Sequence, residues 1–171
     1  MSDLLFTPRS ILEAHPWDSA LWTTYSLSLS FLEAIPLAGI AKSYREFTVI
    51  TDVAGYQASV SDVGAIGIGR DYDVVPVKFA TGVFHPKIGV LTAKDGEVRA
   101  TVGSGNLTFG GWGFNNEVLE VLRPGRDSKC FEGISEFLEA IQREARPGNR
   151  LECHRPPTLY NFIEQTRKAS R

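Results

Sequence analysis

The residue types best able to do chemistry are concentrated between positions 84 and 117. His85 and Lys87 are two positions apart, and on an extended chain such residues project from the same face. An imidazole that can donate, accept or attack therefore stands beside a fixed positive charge. The Asp-Gly pair at residues 95–96 predicts a tight hairpin turn. The hairpin would return the chain, so that the loop following it lies beside His85 and Lys87.

That loop is rich in hydrogen-bond donors. Residues 103–106 read Gly-Ser-Gly-Asn and supply unobstructed backbone N–H groups, the Ser104 hydroxyl and the Asn106 carboxamide. Such donors suit a tetrahedral oxyanion such as a phosphoryl group. Glu117 begins a further predicted strand and could accept the second N–H of His85, which would fix the histidine tautomer. Each feature alone is more often incidental, but together at this spacing they favour a phosphoryl-binding site.

These motifs resemble the signature of the phospholipase D superfamily, in which an HxK strand is followed by a G-[GS]-x-N loop. The matching residues are His85, Lys87 and the loop 103–106, and Glu117 follows Asn106 by eleven positions. The resemblance is nearest to the metal-independent endonucleases of the superfamily, which keep an SGN-[FL]-T loop and a downstream N-x-E-like segment. It implies a phosphodiesterase, and most directly a nuclease.

One position departs from that signature. Thr92 stands five positions after Lys87, where the full signature has aspartate, and Asp95 is close in sequence but falls in the hairpin turn. In the superfamily this aspartate is mainly structural, so its loss bears more on the family resemblance than on the chemistry. The endonuclease branch lacks it in a similar way, and the segment 115–117 (Asn-Asn-Glu) is close to the pattern of that branch.

The resemblance implies a homodimer, because the superfamily mechanism uses two histidines and this chain has one HxK motif. Each subunit would contribute His85 to one active site on a two-fold axis. One copy would become a phosphohistidine, and the other would act as general acid and then as base. Lys87 and Asn106 of both copies would bind the phosphoryl oxygens, with Ser104 and Gly105 adding hydrogen bonds. The resemblance implies no metal and no cofactor.

Three functions remain open at this point. The first is a nuclease with nucleic acid as substrate. A restriction or phage-defence role would fit such a nuclease, and further domains or partner subunits would then recognise the target. The second is a lipid phosphodiesterase or phosphatidyltransferase; no basic amphipathic helix supports membrane docking. The third is an inactive dimerisation or binding module. The intact catalytic set argues against it, and the missing aspartate and the acidic charge balance leave it open; that set is His85, Lys87, Asn106 and Glu117. DNA and RNA, single- or double-stranded, are equally compatible.

Composition describes an ordinary globular chain. Its 171 residues correspond to about one domain, with 43% hydrophobic and 22% charged residues, which excludes a disordered tail, a collagen-like fibre or a coiled-coil rod. The net charge of −2 excludes a basic coat protein but permits a local basic cleft. Cys130 and Cys153 are too few for a disulfide framework, and the start of the chain lacks a secretory pattern. A cytoplasmic protein is therefore expected.

Strand and helix patterns mostly alternate, which predicts an α/β fold with a mixed β-sheet flanked by helices. The resemblance makes this a phospholipase D-like α/β sandwich. Strands are predicted at 21–30, 46–51, 73–79, 87–93, 98–102 and 117–122, and helices at 31–43, 56–66, 131–145 and from a cap at Thr158 to 167. Residues 1–157 are assigned to the catalytic domain, and 158–171 to a C-terminal helix or the start of a linker to a missing region.

Several other reactive or aromatic residues are predicted to be structural. His15 and His154 have no partners at a useful spacing and suit loop or surface positions, and Cys130 suits a small packing role. The core is predicted to include Trp17, Trp22 and Tyr25. Trp112 and Phe114 are predicted to be core or dimer-contact residues, with base stacking as the alternative.

Overall fold

A seven-stranded mixed sheet forms the centre of the molecule. The computed structural model describes residues 7–40, 44–62 and 64–171. The strands are β1 (Ser19–Thr24), β2 (Glu46–Asp52), β3 (Asp73–Phe79), β4 (Ile88–Thr92), β5 (Val98–Gly103), β6 (Leu119–Leu122) and β7 (Leu151–Glu152). They are arranged across the sheet in the order β6-β5-β4-β1-β2-β3-β7.

Parallel and antiparallel pairings meet at β1. Strands β1, β2 and β3 are parallel, β4 runs antiparallel to β1, and β4, β5 and β6 form an antiparallel meander. Because Trp22 pairs with Gly89, and Gly103 pairs with Leu119, the end of β1 lies beside the start of β4, the end of β5 and the start of β6. We call this boundary of the sheet, which also includes the end of β2, the site edge.

Helices cover both faces of the sheet. They are α1 (Pro8–Glu13), α2 (Leu29–Leu32), α3 (Val53–Ser59), α4 (Ser128–Glu144) and α5 (Tyr160–Ala169). Two π-helical turns, Glu33–Leu37 and Gly110–Phe114, accompany them. One face carries a core with α4 and α5, and the other a core with α1, α2 and the two π-helical turns. The predicted α/β fold, a mixed sheet flanked by helices, is confirmed.

The strongest helical pattern in the sequence forms as expected. In α4 the apolar residues Phe131, Ile134, Leu138 and Ile141 are all buried, in agreement with their i, i+3, i+4 spacing. Burying side chains of this size stabilises the fold by about 1.5–3 kcal/mol each. The predicted Asp-Gly hairpin also forms, with Gly96 at φ +91°, a conformation that L side chains rarely adopt.

The predicted strand 21–30 is too long, because a helix start interrupts it. β1 ends at Thr24, and the Ser28 hydroxyl accepts a hydrogen bond from the Phe31 N–H to cap α2. The predicted helix 31–43 is interrupted as well. It is α2 followed by a π-helical turn around Pro36, which has no N–H to continue the helical ladder. Residues 41–43 of this prediction lie outside the described residues.

Three other boundaries differ from the prediction. The helix expected at 56–66 is Val53–Ser59, because the Asp52 carboxylate caps it early. Thr158 does not cap the last helix; α5 begins at Tyr160, where the Leu159 N–H donates to Gln142 Oε1 of α4. β6 begins at Leu119, because the backbone of Val118 is bound to Ser104. Within the described ranges, no helix has the length and apolarity needed to cross a membrane.

Candidate active site

The site edge brings together the residues that sequence motifs singled out. His85 and Lys87 lie in the extended segment before β4, Ser104 and Asn106 in the loop after β5, and Glu117 before β6. Lys87 Nζ lies 2.6 Å from His85 Nδ1 and 3.0 Å from Nε2. Lys87 and Glu117 line the same cavity. Lys87 and Glu117, thirty positions apart in the chain, therefore line one site within one subunit.

Two hydrogen bonds from neighbouring strands hold the HxK segment. The Phe84 N–H, directly before His85, donates to Asp52 Oδ2 at 2.8 Å. On the other side, the Ile88 N–H donates to Thr23 Oγ1 at 2.9 Å. Asp52 is 4% exposed and Thr23 is 2% exposed, so water competes little for either bond. The ends of β1 and β2 thereby fix the backbone on both sides of the histidine.

Asp52 is a site residue that none of the sequence motifs indicated. Its Oδ1 accepts from the Ala54 N–H at 2.9 Å while its Oδ2 holds Phe84, so one carboxylate caps α3 and positions the histidine segment. The available signal was an acidic residue directly after a buried β-branched strand. A carboxylate has no donor of its own, and it can therefore accept both N–H groups without rotating.

Replacing Asp52 by asparagine is expected to destabilise the protein by about 1–3 kcal/mol, because the new NH₂ group faces one of the two buried N–H donors. The measurement is urea unfolding. Asp95→Asn is the matched control, since Asp95 is an exposed turn residue. Equal stability of the Asp52→Asn and Asp95→Asn variants would contradict the positioning role.

Asn106 is oriented by the end of β1. Its Oδ1 accepts from the Tyr25 N–H at 3.2 Å and the Ser26 N–H at 3.1 Å, and Thr24 Oγ1 lies 3.2 Å away. Backbone N–H groups only donate, so they assign this atom as the oxygen. The Nδ2 amino group therefore points away from β1. Asn106 is half-buried, and this arrangement turns its donor side outward.

Close packing of glycines holds the Asn106 loop. A Cβ at Gly105 would overlap the carbonyl oxygen of Gly111, and a Cβ at Gly111 would overlap the Asn106 carbonyl oxygen. The π-helical turn Gly110–Phe114 can therefore lie directly on the loop only because both positions lack a side chain. The glycines at 105 and 111 therefore allow this close packing, in addition to leaving backbone N–H groups unobstructed.

Tyr25 also belongs to the site, although the sequence predicted it to be a core residue. Its ring lies 5.1 Å from the His85 ring, centroid to centroid, and its N–H binds Asn106. Its carbonyl oxygen accepts from Thr51 Oγ1 at 3.2 Å. Tyr25 is half-buried and His85 is exposed, so the tyrosine supports the histidine from the protein side.

Glu117 has different partners from those predicted. Its Oε2 accepts from the Ser104 hydroxyl at 2.5 Å and its Oε1 from Asn115 Nδ2 at 3.3 Å. Within the described part of the chain, no hydrogen bond joins Glu117 to His85. Ser104 Oγ also accepts from the Val118 N–H at 2.9 Å, so its hydroxyl holds the acidic loop. In the single subunit, Glu117 acts on the site through its charge beside Lys87.

Burial lowers the pKa of Lys87, and the negative charge of Glu117 partly opposes this shift. If the protonated lysine binds phosphoryl oxygens, function is lost as pH rises through this pKa, at a lower pH than for an exposed lysine. Glu117→Gln removes the opposing charge but can still accept from Ser104. We expect it to lower the Lys87 pKa further.

The measurement is an NMR titration of the Lys87 side chain, paired with a pH–rate profile. Both the titration and the alkaline limb of activity should move to lower pH in Glu117→Gln. Glu120→Gln is the control, because Glu120 is an exposed partner of Arg126. A shift to higher pH, or an equal shift in both variants, would contradict the coupling of Glu117 to Lys87.

Thr92 lies outside the site. It is buried near the far end of β4, where it pairs with Ser19 on β1. Asp95 is in the hairpin turn, accepts from the Glu97 N–H at 3.0 Å and contacts His15. The position where the signature has aspartate is therefore separated from His85 by the length of a strand, and its replacement leaves the site residues untouched.

The remaining residues fall mostly in structural positions. Trp17 and Trp22 are buried, and the half-buried Trp112 packs against Trp22 at the edge of the core, with ring centroids 5.3 Å apart. Phe114 is 83% exposed and is not core. Cys130 is exposed, which overturns its predicted packing role, because it faces away from the buried stripe of α4.

Cys153 is a buried free thiol, and His154 is exposed. His15 pairs with Asp95 on the surface, as its predicted loop or surface position suggests. In residues 7–40, 44–62 and 64–171, no three His, Cys, Asp or Glu side chains gather as a set of metal ligands.

Solved structures share this architecture at low sequence identity. Nuc of Salmonella typhimurium, a phospholipase D family member, aligns with a TM-score of 0.57 and 16% identity over 85% of this chain and 87% of that chain. NucT of Helicobacter pylori aligns with a TM-score of 0.52 and 15% identity, covering 77% and 82% of the two chains. The sequence matches no family model and no curated protein.

A yeast tyrosyl-DNA phosphodiesterase is also similar, with a TM-score of 0.53 and 12% identity over 77% of this chain. This chain spans 33% of its length. The chain thus has the phospholipase D fold. Within that fold it carries one HxK segment, at His85 and Lys87, and one Ser-Gly-Asn loop, at residues 104–106.

Proposed function

We propose that this protein is a metal-independent phosphodiesterase that cleaves nucleic acid through a phosphohistidine intermediate. The observation that carries the proposal is the convergence at the site edge of an exposed imidazole, a lysine and an oriented carboxamide, from His85, Lys87 and Asn106. A nucleophile, a positive charge and an N–H donor are the groups that phosphoryl transfer requires. The fold shared with a phosphodiesterase supports this chemistry.

The active site is proposed to be completed by a second copy of the chain. One subunit supplies one HxK histidine, whereas formation and hydrolysis of a phosphohistidine also need a general acid and base. A two-fold axis beside the site edge would supply the second histidine. Phe114 and Val118 support this arrangement, because they are 83% and 75% exposed and flank Glu117 in the chain. Large exposed apolar side chains of this kind favour burial in an interface.

The proposed reaction has two displacements at phosphorus. In the first, an unprotonated ring nitrogen of His85 attacks, a P–N bond forms and the bond to the leaving oxygen breaks. The leaving oxygen takes a proton from His85 of the partner subunit. In the second, water attacks phosphorus, the partner's His85 takes its proton and the P–N bond breaks. The products are an alcohol and a phosphomonoester, and both histidines return to their starting states.

Lys87 and Asn106 are proposed to stabilise the charge on the phosphoryl oxygens during both steps. Lys87 supplies the positive charge, and the outward-turned Nδ2 of Asn106 supplies a neutral donor. Backbone N–H groups near Gly105 add to this set. Ser104 contributes indirectly by holding Glu117 at 2.5 Å, which in turn maintains the charge on Lys87. The donors are fixed before substrate binds, so little reorganisation is needed.

The test of this function is cleavage of labelled DNA and RNA, single- and double-stranded, in excess EDTA. We expect at least one of the four substrates to be cut, with a rate unchanged by EDTA. Loss of cleavage in EDTA would contradict the metal-independent mechanism. Absence of cleavage together with hydrolysis of phosphatidylcholine vesicles would replace the nuclease by a lipid phosphodiesterase, and a dimer that cuts nothing would indicate a binding module.

A further inference from the structure

A cavity of about 180 Å³ lies directly beside the proposed phosphoryl site. Its lining includes Gly89 of β4, on which the Trp22 ring packs, and Gly103 of β5, on which the Val118 carbonyl packs. Its walls are mainly apolar and include Trp22, Trp112 and Leu119. The indole rings of Trp22 and Trp112 meet edge to face, with centroids 5.3 Å apart and planes at 64°. This geometry fixes both rings by packing.

The cavity and the proposed phosphoryl site share three residues. Lys87, Gly105 and Glu117 line the cavity, and the same residues provide or support the proposed phosphate contacts. A phosphodiester bound at Lys87 therefore has one of its attached groups at the cavity. The cavity has room for a group such as one heterocyclic ring.

The lining also matches the chemistry of a nucleobase. Aromatic walls favour a planar ring, and bases stack on aromatic side chains. The polar groups among the lining residues include the hydroxyl of Thr101 and the carboxamide of Asn115. A hydroxyl and a carboxamide each offer both a donor and an acceptor, which is what the edge of a base requires.

We propose that this cavity binds the unpaired base of a nucleotide adjacent to the scissile phosphate, so that the substrate is single-stranded nucleic acid or a frayed strand end. The inference rests on the proposed nuclease function and specifies its substrate. A base in a duplex is paired and stacked, and to reach the cavity it would have to be unpaired and flipped out of the stack. Single strands are therefore cleaved faster than duplexes of the same sequence.

The test compares single-stranded oligonucleotides that differ only by one missing base. An abasic residue is placed in turn on each side of the cleaved phosphate, and kcat/KM is measured against the intact strand. Wild type is expected to lose about tenfold to a hundredfold when the base on one particular side is absent. Leu119→Trp, which fills the cavity, is expected to bring the ratio between intact and abasic strands close to one.

A second variant keeps the test independent of the bulky substitution. Leu119→Ala widens the cavity and weakens contact with the base, so the ratio should again fall. Equal cleavage of intact and abasic strands by wild type would overturn the base site and leave the nuclease function standing. An equal slowing of both strands in the Leu119 variants, with the ratio unchanged, would also overturn it. Cleavage of neither strand would overturn the proposed function itself.

Discussion

Replacement of His85 by alanine is expected to reduce kcat for phosphodiester cleavage by on the order of 10⁴-fold or more. The variant loses the nucleophile that forms the P–N bond and, in the dimer, the general acid and base as well. The ring is exposed at the site edge and contacts Lys87 and Tyr25, so its removal leaves the core intact. The measurement is single-turnover cleavage in EDTA, with circular dichroism to verify the fold.

His154→Ala is the matched control, because His154 is exposed and lies outside the site edge. It should retain full activity. A second readout is the covalent intermediate. When the reaction is quenched without acid, which would hydrolyse phosphohistidine, the wild-type protein should carry phosphorus from the substrate and His85→Ala should not. Substantial cleavage by His85→Ala would mean that another group attacks phosphorus, and the phosphohistidine route would then be wrong.

Mixing wild-type and His85→Ala subunits tests whether two copies build one site. If both copies of His85 are needed, only dimers with two wild-type subunits are active. An equal mixture after exchange should then have about one quarter of the activity of wild type, against about one half if each subunit works alone. An activity near one half would contradict the shared site while leaving the role of His85 itself in place.

Asn106→Asp is expected to lower kcat on the order of 10²- to 10³-fold with little change in stability. The new carboxylate keeps an oxygen that accepts from the Tyr25 and Ser26 N–H groups. Its other oxygen replaces the outward-turned amino group, so a donor becomes a negative charge facing phosphoryl oxygens. The substitution separates the two functions of this side chain: anchoring the loop, which persists, and stabilising charge, which is reversed.

The control is Asn149→Asp, which introduces the same charge in an exposed turn. It should change neither kcat nor unfolding. Asn106→Leu provides the opposite case, because it leaves the half-buried Tyr25 and Ser26 N–H groups without their acceptor and is expected to destabilise the protein. Retained activity in Asn106→Asp would show that this amide does not contact the phosphoryl group.

Local patterns in the sequence were sufficient for the elements built from neighbouring residues. The spacing of Phe131, Ile134 and Leu138 predicted α4 because a helix repeats its face every three to four residues. The Asp-Gly pair predicted the hairpin because Gly96 tolerates the positive φ that the turn needs. The contact between the His85 and Lys87 side chains likewise joins residues two positions apart. These features depend on contacts between residues close in sequence.

The partners of the site residues depended on the tertiary structure. Asn106 is held by Tyr25 from 81 positions away, and Phe84 is held by Asp52 from 32 positions away. Such contacts exist only because the sheet order places β1 between β4 and β2, and no local period encodes that order. For the same reason, the sequence predicted that Glu117 would orient His85, whereas the fold gives its carboxylate to Ser104. The sequence by itself determined which chemical groups are available; the packing of the sheet decided which of them meet.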